Sequence, residues 1–314
     1  MDKPRVIVTR RWPAEVEQAL AEEFDVVLNS DDVPMTNAAL VQAMGACDAL
    51  CPTVSDRIDA SVLGALPRRA AIVASYGVGF NHIDIDAARR AGIAVTNTPE
   101  VLTDCTADLA LTLLLMIARR AGEGERELRR GDWSGWRPTH LVGTRVSGKT
   151  LGLVGFGRIA KAVAQRAHFG FGMRILFHDP LPQPDAVVNA LGAVACNSVE
   201  DLLAQSDFVS LHCPASPDTY HLIDAARLAC MAPHAFLVNT ARGDVVDQVA
   251  LADALAAGRI AGAGLDVYEG EPTVPAALTA LENVVLLPHL GSASRETRVA
   301  MGRRVLENLR AWFD

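Results

Sequence analysis

Short runs of valine, isoleucine and leucine alternate with helical patterns along almost the whole chain, and this alternation limits the available folds more than any motif does. In the first hundred residues the predicted strands are "RVIVTR" (5–10), "FDVVLN" (24–29), "DALCPT" (48–53), "AAIVASYG" (70–77) and "IAVTNT" (93–98). Helical stretches such as "PAEVEQALAEE" (13–23) and "TNAALVQAMG" (36–45) separate them. Such alternation argues for βαβ units on a parallel sheet. The nearly continuous apolar runs fit strands covered on both faces.

After Gly148 the pattern restarts. Strands are predicted at 150–156, 174–179, 207–213, 235–241, 262–268 and 283–289, six in all, enough for a complete doubly wound sheet. The last stretch, 294–313, has helical spacing only. The predicted class is therefore α/β with two doubly wound parallel-sheet domains. Between them, residues 99–147 hold one long predicted helix, "TADLALTLLLMIARRAGEGERELRRG", and an aromatic loop, "DWSGWRPTHLVG". This segment is too apolar for a linker and is read as packing between domains or across a dimer.

A chain of 314 residues, 50% hydrophobic and 21% charged, suits one to three globular domains. Its net charge of −8, without a basic cluster, argues against nucleic acid as a partner. Cys47 and Cys51 form a lone C-x-x-x-C with no second ligand pair, so the six cysteines are expected to be thiols in a reducing cytoplasm, with no metal. The longest apolar run, 109–118, is about half a bilayer span, and "MDKPRVIVTR" lacks a signal peptide's features, so no membrane role is expected.

The second module opens with a strand, a glycine turn and an amphipathic helix, "TLGLVGFGRIAKAVAQRA" (150–167). Gly155 and Gly157 fit G-x-G-x-x-G, with Ala160 in the last place. The first glycine permits the turn and the second lets backbone approach a pyrophosphate at the helix N-terminus; the third position concerns helix–strand packing, where alanine is allowed. Asp179 ends the next strand, 24 residues after Gly155 and near the expected spacing of about 20. A carboxylate there can bond the adenosine ribose hydroxyls and would repel a 2′-phosphate, and "PLPQP" offers no cation to hold one. NAD is thus predicted over NADP. The alternative is that Asp179 only caps a strand before Pro180.

In order along the chain, "VGFGRIA", "HCPASPDTYHLI", "LVNTARGDVVD", "AGLDVYEGEP" and "LLPHLGSAS" resemble the D-isomer-specific 2-hydroxyacid dehydrogenase family. The N-terminal half, with "ASYGVGFNHIDIDAARRAGIAVTNTPEVLTDCTADLA", is similar to its glyoxylate and hydroxypyruvate reductase branch. The resemblance implies a flavodoxin-like substrate domain of residues 1–99 plus 288–314. A Rossmann NAD-binding domain, 100–287, would be inserted into it, with the active site in a cleft between the two. It further implies cofactor contacts at Thr106, Arg158, Ile159, Cys213, Pro214, Thr219, Thr240, Ala241, Asp266 and Gly291. Asp266 would lie on the nicotinamide side. Backbone N–H groups of Val78 and Gly79 would join Arg242 and His289 at the substrate.

Reduction of a 2-oxo acid needs a cation for the carboxylate, a proton donor for the carbonyl oxygen, and a group that keeps the donor protonated. Arg242, after a predicted strand end, has the planar fork for the first. Of eight histidines, only His289 ends a strand before a Gly-Ser turn at the family's catalytic position. Histidine's ordinary pKa suits reversible proton transfer. The resemblance assigns its partner carboxylate to Glu271, not Glu269, and a glutamate there differs from the glutamine of formate dehydrogenases. The expected activity is NAD-dependent reduction of small 2-oxo acids such as glyoxylate or hydroxypyruvate by a homodimer. Two alternatives stand beside it: an NAD-sensing scaffold like the C-terminal-binding-protein corepressors, and a short phosphoglycerate dehydrogenase. Trp133, Trp136 and His140 either close over a neighbouring subunit's site or pack at an interface.

Overall fold

The computed structural model describes residues 3–314. The chain divides into two compact units, one reaching to Leu102 and resuming at Ser292–Asp314, the other formed by Thr103–Gly291. The sequence reading puts the crossings at 99/100 and 287/288; the structure has them a few residues later. Hydrogen bonds explain the second difference, since residues 289–291 are tied to Asp266 in the second unit.

The first unit carries β1 (Arg5–Val8), β2 (Asp25–Val27), β3 (Ala49–Cys51), β4 (Ile72–Ala74) and β5 (Ala94–Thr96). All pair in parallel in the order β2-β1-β3-β4-β5, the flavodoxin-like winding. Ile7, Leu50 and Val73 on the sheet meet Leu40, Met44, Val62 and Leu63 from the helices on one face. The last helix, Arg295–Phe313, belongs here. Tyr76 donates its hydroxyl to Arg298 O, Asn308 donates to Asn97 O at 3.1 Å, and Phe313 lies 5.9 Å from Phe24.

In the second unit β6 (Thr150–Val154), β7 (Arg174–His178), β8 (Ala193–Ala195), β9 (Phe208–Leu211), β10 (Phe236–Asn239), β11 (Gly262–Leu265) and β12 (Val284–Leu286) form one parallel sheet. Its order is β12-β11-β10-β9-β6-β7-β8. This is the Rossmann winding with an added strand, and the strand order reverses between β6 and β9. The sheet has seven strands where the sequence suggests six, because β8 is an edge strand of only three residues, two of them exposed. The single long helix expected at 106–131 is two helices, Thr103–Ala118 and Ala121–Arg130. Arg120 sits between them in the left-handed region at φ 52°, which ends the first helix without a proline or glycine. Thr103–Ala118 buries Leu113, Leu114 and Ile117 against the sheet, and Arg166 joins Asp104 and Asp108 at 2.8 and 2.7 Å. No helix among the described residues is long and apolar enough to cross a membrane.

Candidate active site

All seven strands of the second unit end at one edge, and most candidate residues of this unit lie in or just after the loops that leave six of them. β6 runs into Gly155, at φ +85°, a conformation that favours glycine. A Cβ there would lie 2.9 Å from Cys213 N and His212 C, the residues leaving β9. The turn therefore sits at the switch point between β6 and β9, where open α/β sheets bind ligands. Gly157 opens the helix Arg158–Phe171 without a side-chain cap. A Cβ on it would meet nothing within 4 Å. That free space in front of a helix N-terminus fits a pyrophosphate approaching the backbone. Ala160 is fully buried in the core beside Leu151 and Val163, so its methyl is a packing contact, while Ile159 is half-buried against the same core.

Asp179 follows β7. Its Oδ2 accepts the Phe156 N–H at 2.6 Å and its Oδ1 the Leu181 N–H at 2.9 Å. The carboxylate thus braces the glycine turn, and each oxygen keeps a lone pair for a ribose hydroxyl. Burial pushes the Cys213 thiol up to about 11, so it is a neutral wall residue. Thr219 donates to Pro214 O at 2.6 Å and accepts the Ser216 N–H at 2.8 Å, which shapes that loop. The Thr240 hydroxyl is buried without a protein partner, an open position for a ligand at the end of β10.

The catalytic candidates follow β10, β11 and β12. Arg242 is anchored by Asn239, which donates to its carbonyl at 2.8 Å while accepting the Ala241 N–H at 2.9 Å. Its Nη1 donates to Ala241 O at 2.6 Å. Burial lowers the guanidinium's pKa, with the charges of Glu271 and Asp244 opposing that shift. Gly243 lies so close to the next loop that a Cβ would fall 1.8 Å from Tyr268 C and 2.1 Å from Glu269 N. Backbone cannot yield as a side chain does. Gly243→Ala is expected to destabilise the protein by at least about 3 kcal/mol in denaturant unfolding, the upper end of ordinary overpacking; a loss below about 1 kcal/mol would refute this close fit.

His289 Nδ1 lies 2.8 Å from Glu271 Oε2, and Tyr268 N–H donates to Glu271 Oε1 at 2.9 Å. Burial pushes the Glu271 carboxyl up, but the hydrogen bond and charge of His289 outweigh it and hold the group below its ordinary value. His289 has φ 55°, a strained conformation that persists only where its surroundings impose it. They do so here through Asp266. Its carbonyl accepts the His289 N–H at 2.9 Å, its Oδ1 the Leu290 N–H at 2.6 Å and its Oδ2 the Gly291 N–H at 2.8 Å. Burial pushes the Asp266 carboxyl up to about 6, with those N–H groups pulling the other way. Asp266 is 1% exposed, and both its carboxylate oxygens hold the chain that presents His289. Thr106 completes the support, donating to Gly291 O at 2.9 Å.

A carboxylate partner alone does not single out His289. His140 lies 2.8 Å from Glu127, His221 3.0 Å from Glu269 and His234 2.9 Å from Asp207. His212 is buried against Ser210, which lowers it to about 4. What separates His289 is its place at a strand end in company with Glu271 and Arg242; its left-handed backbone is shared by His221. Val78 and Gly79 lie in the first unit, after β4, where Val78 O accepts from Asn97 at 2.8 Å. Trp133 and Trp136 are exposed. All six cysteines are free, and no group of three His, Cys, Asp or Glu among the described residues is arranged for a metal. Sequence reasoning missed Asn239, Gly243, Tyr268 and the His221–Glu269 pair; only the glycine after Arg242 carried a readable turn signal.

A Rossmann sheet with a histidine–glutamate pair and a half-buried arginine at its carboxyl edge fits a nicotinamide-dependent oxidoreductase of the CH–OH group. Residues 111–291 match the family described as D-isomer specific 2-hydroxyacid dehydrogenase, NAD binding domain, and the chain belongs to this family. It is 49% identical over 312 residues to a glyoxylate reductase of Korarchaeum cryptofilum, covering 99% of this chain and 93% of that one. Among solved structures it is similar to the NADPH-dependent glyoxylate/hydroxypyruvate reductase of Sinorhizobium meliloti in complex with NADP and malonate (TM-score 0.87, 36% identity, 100% and 94% of the two chains). It is also similar to the D-mandelate dehydrogenase of Rhodotorula graminis (TM-score 0.88, 33% identity, 98% and 94%).

Proposed function

We propose that this chain reduces glyoxylate and hydroxypyruvate, with NADH as the preferred donor. The observation that carries the reading is the 2.8 Å bond between His289 and Glu271, held beside Arg242. Arg242 grips the substrate carboxylate with its planar fork and draws electron density from the ketone. A bound dihydronicotinamide supplies the hydride. His289 delivers the proton to the carbonyl oxygen from Nε2, because Nδ1 faces Glu271. Glu271 fixes the ring's orientation and favours its charged form. Gly155, Gly157 and the N-terminus of the helix at Arg158 would hold the pyrophosphate, and Asp179 the adenosine ribose. The substrate role of Val78 and Gly79 follows from the family resemblance.

The arm after Thr103–Ala118 supports a homodimer. Its helix Ala121–Arg130 buries no residue, and Leu128, Trp133, Trp136 and Val142 are exposed apolar side chains. His140 is engaged with Glu127 of the same arm, which favours packing over a catalytic reach for that ring. Sedimentation velocity reads the mass.

The functional test is cofactor oxidation with glyoxylate, hydroxypyruvate, pyruvate and phenylglyoxylate, using NADH and NADPH in turn. Activity on the first two with NADH is expected, and inertness to every 2-oxo acid would end the reading. Asp179→Ala is expected to cut the NADH-to-NADPH ratio of kcat/KM about tenfold or more. Two unit charges 4 Å apart repel by roughly 4 kcal/mol at an effective dielectric of about 20. An unchanged ratio would free Asp179 of any part in cofactor choice.

A further inference from the structure

The turn that carries Glu271 is exposed, with Gly270 at φ +75°. At its start Tyr268 donates its hydroxyl to Leu287 O at 2.9 Å, and Gly243 presses against its backbone. Further along, the anchor is Glu269. Its Oε1 accepts the Tyr220 hydroxyl at 3.0 Å, and its Oε2 lies 3.0 Å from His221 Nε2. The Tyr220 and His221 rings stack at 4.0 Å and 15°. His221 adopts φ 48°, a conformation that costs a non-glycine residue free energy and needs a reason. Its N–H donates to Asp244 O at 2.8 Å, and the Ile223 N–H donates to Val245 O at 3.0 Å. The loop after β9 is thus laced to the loop of Arg242 by backbone and to the loop of Glu271 by two side chains.

We propose that Tyr220, His221 and Glu269 form a positioning clamp that sets the turn of residues 268–271 so that Glu271 meets His289. The clamp touches no reacting atom. It also connects the segment of Pro214 and Thr219, on the cofactor side, to the carboxylate that orients the acid. The proposal rests on the reading of Glu271 and His289 as the acid pair.

The test is the pH midpoint of the His289 ring signal, followed by NMR in the full-length protein and assigned with His289→Gln. It requires no turnover, so it stands apart from the substrate panel above. The charged groups around the pair are Glu271, Asp266 and Arg242; around the clamp they are Asp244, Asp247 and Glu269 with the Tyr220 phenol. Losing the Glu271 bond disfavours imidazolium, so Glu269→Ala and His221→Ala should both lower the midpoint by about half a pH unit or more. Glu269→Gln, which keeps both hydrogen bonds, should retain the wild-type midpoint. A mere through-space charge effect gives a different pattern. It lowers the midpoint equally in Glu269→Ala and Glu269→Gln and leaves it level or raised in His221→Ala. That pattern, or no movement in either alanine variant, overturns the clamp. If Glu269→Ala does not fold, Tyr220→Phe takes its place, with a fall again expected and its absence counting against the proposal.

Discussion

His289→Ala is expected to lower kcat for 2-oxo acid reduction by about 10²- to 10⁴-fold, the usual size of a lost general acid, while NADH still binds. The reason is geometric: the ring is fixed by Glu271 on one nitrogen, its backbone is held by Asp266, and the free nitrogen is left to give the proton. The pH dependence follows in sign. Reduction uses the imidazolium, so its rate falls as pH rises through the ring's titration, and oxidation of the hydroxy acid behaves in the opposite way. Glu271, held below its ordinary value by His289 against the cost of burial, stays ionised across that range. Glu271→Gln should therefore move the alkaline fall of reduction to lower pH. A His289→Ala variant with full activity, or a Glu271→Gln profile that coincides with wild type, would remove these residues from the mechanism.

Arg242→Ala should reduce kcat/KM by about 30- to 5,000-fold, the equivalent of the roughly 2–5 kcal/mol attached to one partner of a buried charge pair. Both constants should suffer, KM through the carboxylate and kcat through the ketone. Arg242→Lys keeps a charge but loses the fork and should fall between wild type and alanine. The structure favours a large effect because the guanidinium is half-buried and partly desolvated, which strengthens its pull on a carboxylate, and because Asn239 and Gly243 fix its backbone on either side. An alanine variant within threefold of wild type in steady-state kinetics would show that the carboxylate is held elsewhere.

Both sheets were legible as alternating apolar runs, but each predicted strand reaches further than the ladder does. The structured strand at β11 stops at Leu265, for instance, where the reading continued to 268. At β11 the excess residues leave the sheet to build the site, Asp266 and Tyr268 among them, and they look strand-like because they are buried. β8 escaped because Ala-Val-Ala is too short an apolar run to stand out. The helix break at Arg120 escaped because a left-handed arginine carries no signature in the sequence. Arg242 and His289 could be argued from chemistry, yet the choice of Glu271 over Glu269 came from resemblance. The structure pairs both glutamates with histidines, so spacing alone could not have decided. Gly243 was visible only as a glycine, since its need lies in a backbone 25 residues away.

The discontinuity of the first unit bears on the order in which the protein is made. Thr103–Gly291 is contiguous and can close its core once it has left the ribosome. The first unit, although begun first, lacks one of its helices until Arg295–Phe313 emerges. Until then the faces that receive Val305 and Leu309, both fully buried in the finished protein, stand open to water. The part synthesised earliest is thus the last to be sealed, and the apolar surface it shows meanwhile is where chaperone dependence or aggregation would start.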